Sequence, residues 1–140
     1  METARIVSAG VAHPPHRVPQ AEAAHQIGLL AGDPRRVAAI ARGTKIASRA
    51  ATLPPEELAK LGGIEERNRI YQETVPGLAR EAARSALGET PREQVGCLVT
   101  SSCTGYSVPG WGVRLVEDVG LRCDTAVSYT HLTLPTNREV

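Results

Sequence analysis

The alternation of apolar and polar residues along this chain predicts a series of strands and helices. Residues 5–12 are mostly small and apolar, which indicates a buried strand. Apolar residues recur at helical spacing over 20–30 and predict a helix there. Asp33 and Pro34 then supply an N-cap and a first-turn proline for a second helix, which is expected to end near Ala41.

The later residues continue this alternation. In chain order, the pattern predicts a short strand or extended arm over 46–52, a helical turn over 54–57, a solvated surface segment over 62–71, a helix over 75–87 with Pro76 in its first turn, a strand over 95–102 and a helix over 109–119. Strands that alternate with helices indicate an α/β fold with a parallel or mixed sheet.

The last residues differ from the rest. Residues 127–136 (VSYTHLTLPT) lack periodicity and closely resemble a translated sequencing adapter. A native loop with a short strand is the alternative interpretation. The prediction is a partial native domain over 1–126, followed by a non-native tail over 127–140.

Composition and charge exclude several classes of function. The formal net charge of +1 gives no basis for binding nucleic acid or an anionic membrane. No apolar run approaches the length of a membrane span, and the first residues lack an export signal, so a cytoplasmic protein is expected. Hydrophobic residues make up 41% of the chain, which is typical of a folded domain.

The three cysteines, Cys97, Cys103 and Cys123, are expected to be reduced thiols, because an odd count without an export signal argues against a disulfide framework. Cys97 lies in an apolar stretch and is expected to pack in the core. The four histidines are scattered and show no metal-ligand spacing. We therefore expect neither a metal nor a bound cofactor.

Residues 99–111 (VTSSCTGYSVPGW) carry the most information about function. A strand is expected to end there in hydroxyls and a thiol, a glycine turn follows, and Pro109 starts a helix. Ligands of open α/β sheets bind at the carboxyl ends of strands, so Cys103 and Thr104 are expected to lie at a small-molecule site. Cys103 is interpreted first as a cavity wall; a buried core thiol and the nucleophile of a small cysteine hydrolase are the alternatives.

The same segment resembles the active-site wall of type III polyketide synthases, the chalcone and stilbene synthase-like family. Residues 112–122 resemble the helix and the GLR turn that follow that wall, and residues 5–15 suit the family's first strand. The resemblance covers residues 4–126. It implies the N-terminal half of a thiolase-like αβαβα fold, incomplete in this chain.

The resemblance also implies an activity. Enzymes of this family load an acyl group from acyl-coenzyme A onto a cysteine thiolate, extend it with malonyl-coenzyme A by decarboxylative condensation, and act as homodimers. Their catalytic cysteine, histidine and asparagine lie beyond the GLR turn. No catalytic residue is therefore assigned here, and this fragment is expected to be inactive alone. A fragment of a related ketoacyl synthase III-like condensing enzyme and a non-catalytic interaction module are the alternatives.

Three cavity positions are implied by the match to the family motif. Cys103 and Thr104 match the pair that lines the substrate cavity at the end of the strand. Val108 matches the residue that reaches into the cavity of the neighbouring subunit in the family dimer.

One position implied for coenzyme A lies earlier in the chain. Arg36 falls where the family keeps a cation for the coenzyme A phosphates. The family's other cationic positions are Ala39 and Gly43 in this chain. Arg42 and Lys45 are the candidates to replace them.

Overall fold

A computed structural model describes residues 3–58 and 60–131 of the chain. They form two compact units: His13–Gly63 is one, and the other combines the residues up to Ala12 with those from Ile64 onward. The elements in chain order are β1 (His16–Pro19), α1 (Gln20–Ala31), α2 (Pro34–Gly43), β2 (Ser48–Ala51), α3 (Pro55–Leu58), α4 (Ile64–Leu87), a 3₁₀ turn (Arg92–Gln94), β3 (Cys97–Ser102), α5 (Trp111–Asp118) and β4 (Ala126–His131).

In the His13–Gly63 unit, two helices accompany a short antiparallel pair of β1 and β2. The two predicted helices are confirmed, and local chemistry explains the boundary between them. Gly32 ends α1 in the left-handed conformation, with φ of 70°, which glycine adopts without a Cβ clash. The Asp33 carboxylate then accepts a hydrogen bond from the Arg36 backbone N–H across 3.0 Å and caps α2.

In the other unit, β3 and β4 pair in parallel, with Cys97 opposite Ala126 and Ser102 opposite His131. Leu115 of α5 and Val119 at its C-terminal end are buried. The parallel pair beside two helices confirms the predicted α/β class. No helix in the described part of the chain is long and apolar enough to cross a bilayer.

Helix α4 corrects one prediction. The segment over 62–71 was expected to be a surface segment, and a helix was expected to begin near Pro76; instead one helix of 24 residues contains Pro76 and most of that segment. Proline is common in a first helical turn, so its position suggested a start where the helix continues. Two residues of the supposed surface segment, Asn68 and Tyr71, are buried, and their contacts described below hold this half of the helix in place.

Residues 5–12 correct another prediction, because they form no strand and lie mostly exposed; the side chain of Ile6 is 92% exposed. Part of the segment instead packs against the C-terminal half of α4. A Cβ at Gly10 would overlap the Ala82 carbonyl oxygen, and the Ser8 hydroxyl donates to the Ala86 carbonyl across 2.6 Å. This close approach ties the segment to a helix backbone rather than to a strand edge.

Two further expectations can be compared with the structure. Cys97 was expected in the core, but it lies exposed at the first position of β3. The reason is that β3 buries only one of its positions, Thr100. The second expectation is the non-native tail over 127–140. Its first residues, up to His131, belong to β4, and residues 132–140 lie outside the described part of the chain.

Candidate functional site

The predicted cavity residues Cys103 and Thr104 directly follow the carboxyl end of β3, and both are exposed. Because β3 and β4 run parallel, their carboxyl ends meet at one edge of the sheet. That edge is where open α/β sheets bind ligands. The exposed thiol of Cys103 does not fit the alternative of a buried core cysteine.

Helix α5 begins close above β3 because Gly112 lacks a side chain. A Cβ at Gly112 would lie 2.8 Å from Cγ2 and 2.9 Å from Oγ1 of Thr100, and Thr100 is only 4% exposed. The Thr100 hydroxyl also bonds weakly to the Ser128 carbonyl across 3.4 Å. The residues between β3 and α5, 103–110, therefore form a short loop between two elements in contact.

Two side chains of α4 bond to one residue in the middle of this loop. The Tyr106 backbone N–H donates to Asn68 Oδ1 across 2.8 Å. The Tyr106 carbonyl accepts a hydrogen bond from Gln72 Nε2 across 3.0 Å. Asn68 and Gln72 are four residues apart and so lie on the same face of the helix. Sequence reasoning missed both residues, since a polar pair in a charged segment looks like a solvated surface.

Tyr71 lies on the same face of α4 and contacts the loop at Gly105 and the start of α5 at Trp111. A Cβ at Gly105 would lie 2.6 Å from Tyr71 Cδ1, so only glycine allows the ring to approach this closely. The Tyr71 hydroxyl accepts a hydrogen bond from the Trp111 indole N–H across 3.0 Å. Gly105 was expected to serve a turn, and the structure adds this ring contact as a second reason for glycine.

An open cavity of about 100 Å³ lies between the loop and α4. Its lining residues are Tyr71, Gln72, Pro76, Ser107, Val108, Pro109, Trp111 and Arg114. The peptide bond between Val108 and Pro109 is cis. Val108 is 93% exposed, so most of its side chain faces outward even though it borders the cavity.

Arg36 lies on α2, in the His13–Gly63 unit, whereas Cys103, Thr104 and Val108 belong to the other unit. Its side chain is exposed, and its backbone N–H is bonded to the cap residue Asp33. Both candidates to replace the missing cations, Arg42 and Lys45, are also exposed. Within the described residues, no group of three potential metal ligands occurs.

Comparison with known proteins adds an independent observation. No family model matches the chain. Over 120 residues it is 27% identical to phloroglucinol synthase from Pseudomonas fluorescens, a match that covers 82% of this chain and 34% of that protein. Over 126 residues it is 30% identical to 1,3,6,8-tetrahydroxynaphthalene synthase from Streptomyces peucetius, where the match covers 85% and 33% respectively.

Among solved structures, the type III polyketide synthase domain of Steely1 from Dictyostelium matches with a TM-score of 0.76. That match covers 91% of this chain and 39% of the domain, at 20% identity. The chain is related to the type III polyketide synthases. This confirms the resemblance to type III polyketide synthases that the sequence predicted, and it confirms the predicted partial thiolase-like fold of the α/β class. The chain spans about one third of the length of the synthases that it matches in sequence.

Proposed function

We propose that this chain forms one wall of the acyl cavity of a type III polyketide synthase. The complete enzyme is an acyltransferase that loads an acyl group from acyl-coenzyme A and extends it with malonyl-coenzyme A. The observation that supports this most is the position of Cys103 and Thr104, which directly follow the carboxyl end of β3 and precede α5. A thiol and a hydroxyl at that edge suit contact with a thioester substrate.

The chain by itself contains no residue that we assign to catalysis, and we propose that it does not condense malonyl thioesters alone. Decarboxylative condensation needs a nucleophile to hold the acyl group and donors that stabilise the enolate. By the family resemblance, these groups lie beyond the GLR turn at 120–122. The chain's coverage of one third of its relatives supports this proposal.

Two contacts with other molecules belong to the same proposal. Arg36 would pair with a phosphate of coenzyme A, since a guanidinium binds phosphate oxygens in bidentate geometry. Val108 would enter the cavity of a second subunit in a homodimer. Its 93% exposure in a single chain supports this role, because an exposed apolar side chain gains stability when a partner covers it.

The activity is tested by a pair of assays. The purified chain is incubated with radiolabelled malonyl-coenzyme A and an acyl-coenzyme A, and we expect neither labelled product nor release of carbon dioxide. A chimera in which residues 4–126 replace the aligned third of the Pseudomonas phloroglucinol synthase is expected to consume malonyl-coenzyme A. Condensation by the chain alone, or a folded chimera without turnover, would contradict the proposal.

We also propose that the native part of the given chain reaches only to about Ala126, where the source protein continues differently, and that residues 127–140 are a non-native tail. The resemblance of residues 127–136 to a translated adapter supports this boundary. Sequencing the source locus in independent long reads tests it. We expect the codons after Ala126 to differ from those of the tail, and a read that reproduces residues 127–140 followed by a stop codon would overturn the proposal.

A further inference from the structure

We propose that Asn68, Tyr71 and Gln72 of α4 are positioning residues that fix the loop 103–110 and so set the shape of the cavity wall. This inference rests on the proposed function insofar as it concerns an acyl cavity. The three residues lie on one face of α4 and contact the loop backbone at Gly105 and Tyr106. Tyr71 also accepts a hydrogen bond from the side chain of Trp111, the first residue of α5.

The first reason is that both backbone polar groups of one loop residue are bound. The Tyr106 N–H is held by Asn68 and its carbonyl by Gln72, at 2.8 Å and 3.0 Å. Two bonds in opposite senses fix the orientation of both peptide planes that flank Tyr106. Asn68 is buried, so its bond is shielded from competing water.

The second reason is that part of the loop borders an open space on the side that faces α4. The open cavity of about 100 Å³ lies beside Ser107, Val108 and Pro109. A segment that borders such a space has fewer packing partners that would oppose a shift. The polar contacts to α4 therefore provide the restraint that packing does not.

The third reason is the place of this loop in the chain. Cys103 and Thr104 stand at its start and Val108 near its end, so a rotation at Tyr106 moves the predicted cavity positions relative to each other. We infer that substitutions on α4, which itself contributes no predicted cavity residue, change which acyl group the cavity accepts.

The directions of the two hydrogen bonds allow a sharp test with one type of substitution. Asn68 must accept, because its partner is a backbone N–H, whereas Gln72 must donate, because its partner is a carbonyl. The N68D variant keeps an accepting oxygen, and the Q72E variant loses its donor. N68L removes the acceptor at similar volume, and E73Q alters only an exposed pair with Arg69 on the same helix.

Amide hydrogen exchange of Tyr106, followed by NMR, is the first measurement. We expect exchange about tenfold faster in N68L and Q72E than in the unsubstituted chain, and unchanged rates in N68D and E73Q. The Leu115 amide in α5 is the internal reference for general loss of structure. The proposal is overturned if N68L leaves the Tyr106 rate unchanged, if N68D exchanges as fast as N68L, or if the Leu115 amide accelerates equally.

The second measurement addresses the acyl cavity. In a chain with Cys97 and Cys123 replaced by serine, alkylation of Cys103 by N-ethylmaleimide is followed with acetyl-coenzyme A or octanoyl-coenzyme A present. We expect both thioesters to slow the alkylation of Cys103. The ratio of the protection by acetyl-coenzyme A to that by octanoyl-coenzyme A is expected to change about threefold or more in N68L and to stay the same in N68D. An unchanged ratio overturns the role in acyl selection. Absence of protection in the unsubstituted chain also overturns the role in acyl selection, whereas turnover of the chimera decides the proposed function and the exchange rates decide whether α4 fixes the loop.

Discussion

The indole N–H of Trp111 donates to the hydroxyl of Tyr71 across 3.0 Å, which links the first residue of α5 to α4. The two residues are 40 positions apart in the chain. The Tyr71 ring meanwhile lies against Gly105, so one side chain contacts both the loop that follows β3 and the helix that follows the loop. This aromatic pair joins the two helices and the loop into one packed group.

The Y71F variant tests the energetic value of this hydrogen bond. Phenylalanine keeps the ring against Gly105 but leaves the part-buried Trp111 N–H without its acceptor. We expect a loss of about 1 kcal/mol in the free energy of unfolding. Trp111 is the only tryptophan, so its fluorescence follows urea unfolding of this region directly. Y106F is the control, since Tyr106 is 56% exposed, and equal stability of Y71F and the unsubstituted chain would contradict the expectation.

A pair of glycine-to-alanine variants tests the contact between α5 and β3. In G112A, the new methyl group would lie 2.8 Å from the buried Thr100 Cγ2, and we expect destabilisation by about 1–3 kcal/mol. Gly77 also lies in a helix, but a Cβ there would meet no atom of the described residues within 4 Å outside its own stretch of helix backbone, so G77A is expected to stabilise by about 0.5–1 kcal/mol. Thermal unfolding followed by circular dichroism measures both, and effects of the same sign would be inconsistent with this packing.

The cap of α2 offers a test in the His13–Gly63 unit. D33A removes the carboxylate that accepts from the Arg36 N–H, and we expect a loss of about 1 kcal/mol. D33N keeps an accepting oxygen and is expected to stay within a few tenths of a kcal/mol of the unsubstituted chain. Urea unfolding followed by circular dichroism compares the two variants. If D33N were as unstable as D33A, charge near the helix start, and not the hydrogen bond, would account for the cap.

The ion pair of Arg122 with Asp124 gives a pH dependence. The Arg122 guanidinium donates to both carboxylate oxygens, with Nε 2.8 Å from Oδ1, and this hydrogen bonding lowers the pKa of Asp124 below its ordinary value. The lowered pKa means that the pair contributes stability above about pH 4 and that this contribution disappears as the pH falls through the pKa of the folded state. Because both side chains are exposed, the contribution to stability is small.

The shift can be read directly from an NMR titration of the Asp124 carboxyl carbon. We expect R122Q to raise the pKa of Asp124 toward the ordinary aspartate value, and high salt to reduce the difference between the two proteins. A midpoint for Asp124 that is the same with and without Arg122 would show that the pair does not persist in solution.

Local signals predicted much of the fold. The boundary between α1 and α2 was predictable because Gly32 and Asp33 act within one turn of the chain, through a left-handed cap and a side-chain hydrogen bond. The strand before Cys103 and the helix after Pro109 were predictable from apolar content and turn residues. The resemblance of residues 99–111 to a known family then located the candidate cavity positions, of which Cys103 and Thr104 stand at the expected strand end.

Long-range contacts account for the parts that local signals missed. Residues 5–12 have the composition of a strand, but Gly10 packs against the α4 backbone instead. Asn68 and Tyr71 stand in a charged segment, and their burial depends on a loop that follows almost 40 residues later. Propensity and periodicity describe the chain near each residue, and they contain no information on which distant surface will cover it.

The amino acids read in order determined α1 and α2 with the caps between them, the strand before Cys103 and the family relationship, because each depends on neighbours within a few residues or on a continuous motif. Only the tertiary structure decided three other features: the hydrogen bonds between α4 and Tyr106, the cavity beside Val108 and the exposure of residues 5–12. Hydrogen bonds and close packing require atoms to meet within a few ångströms, and for residues far apart in the chain that meeting is settled when the backbone is arranged in three dimensions.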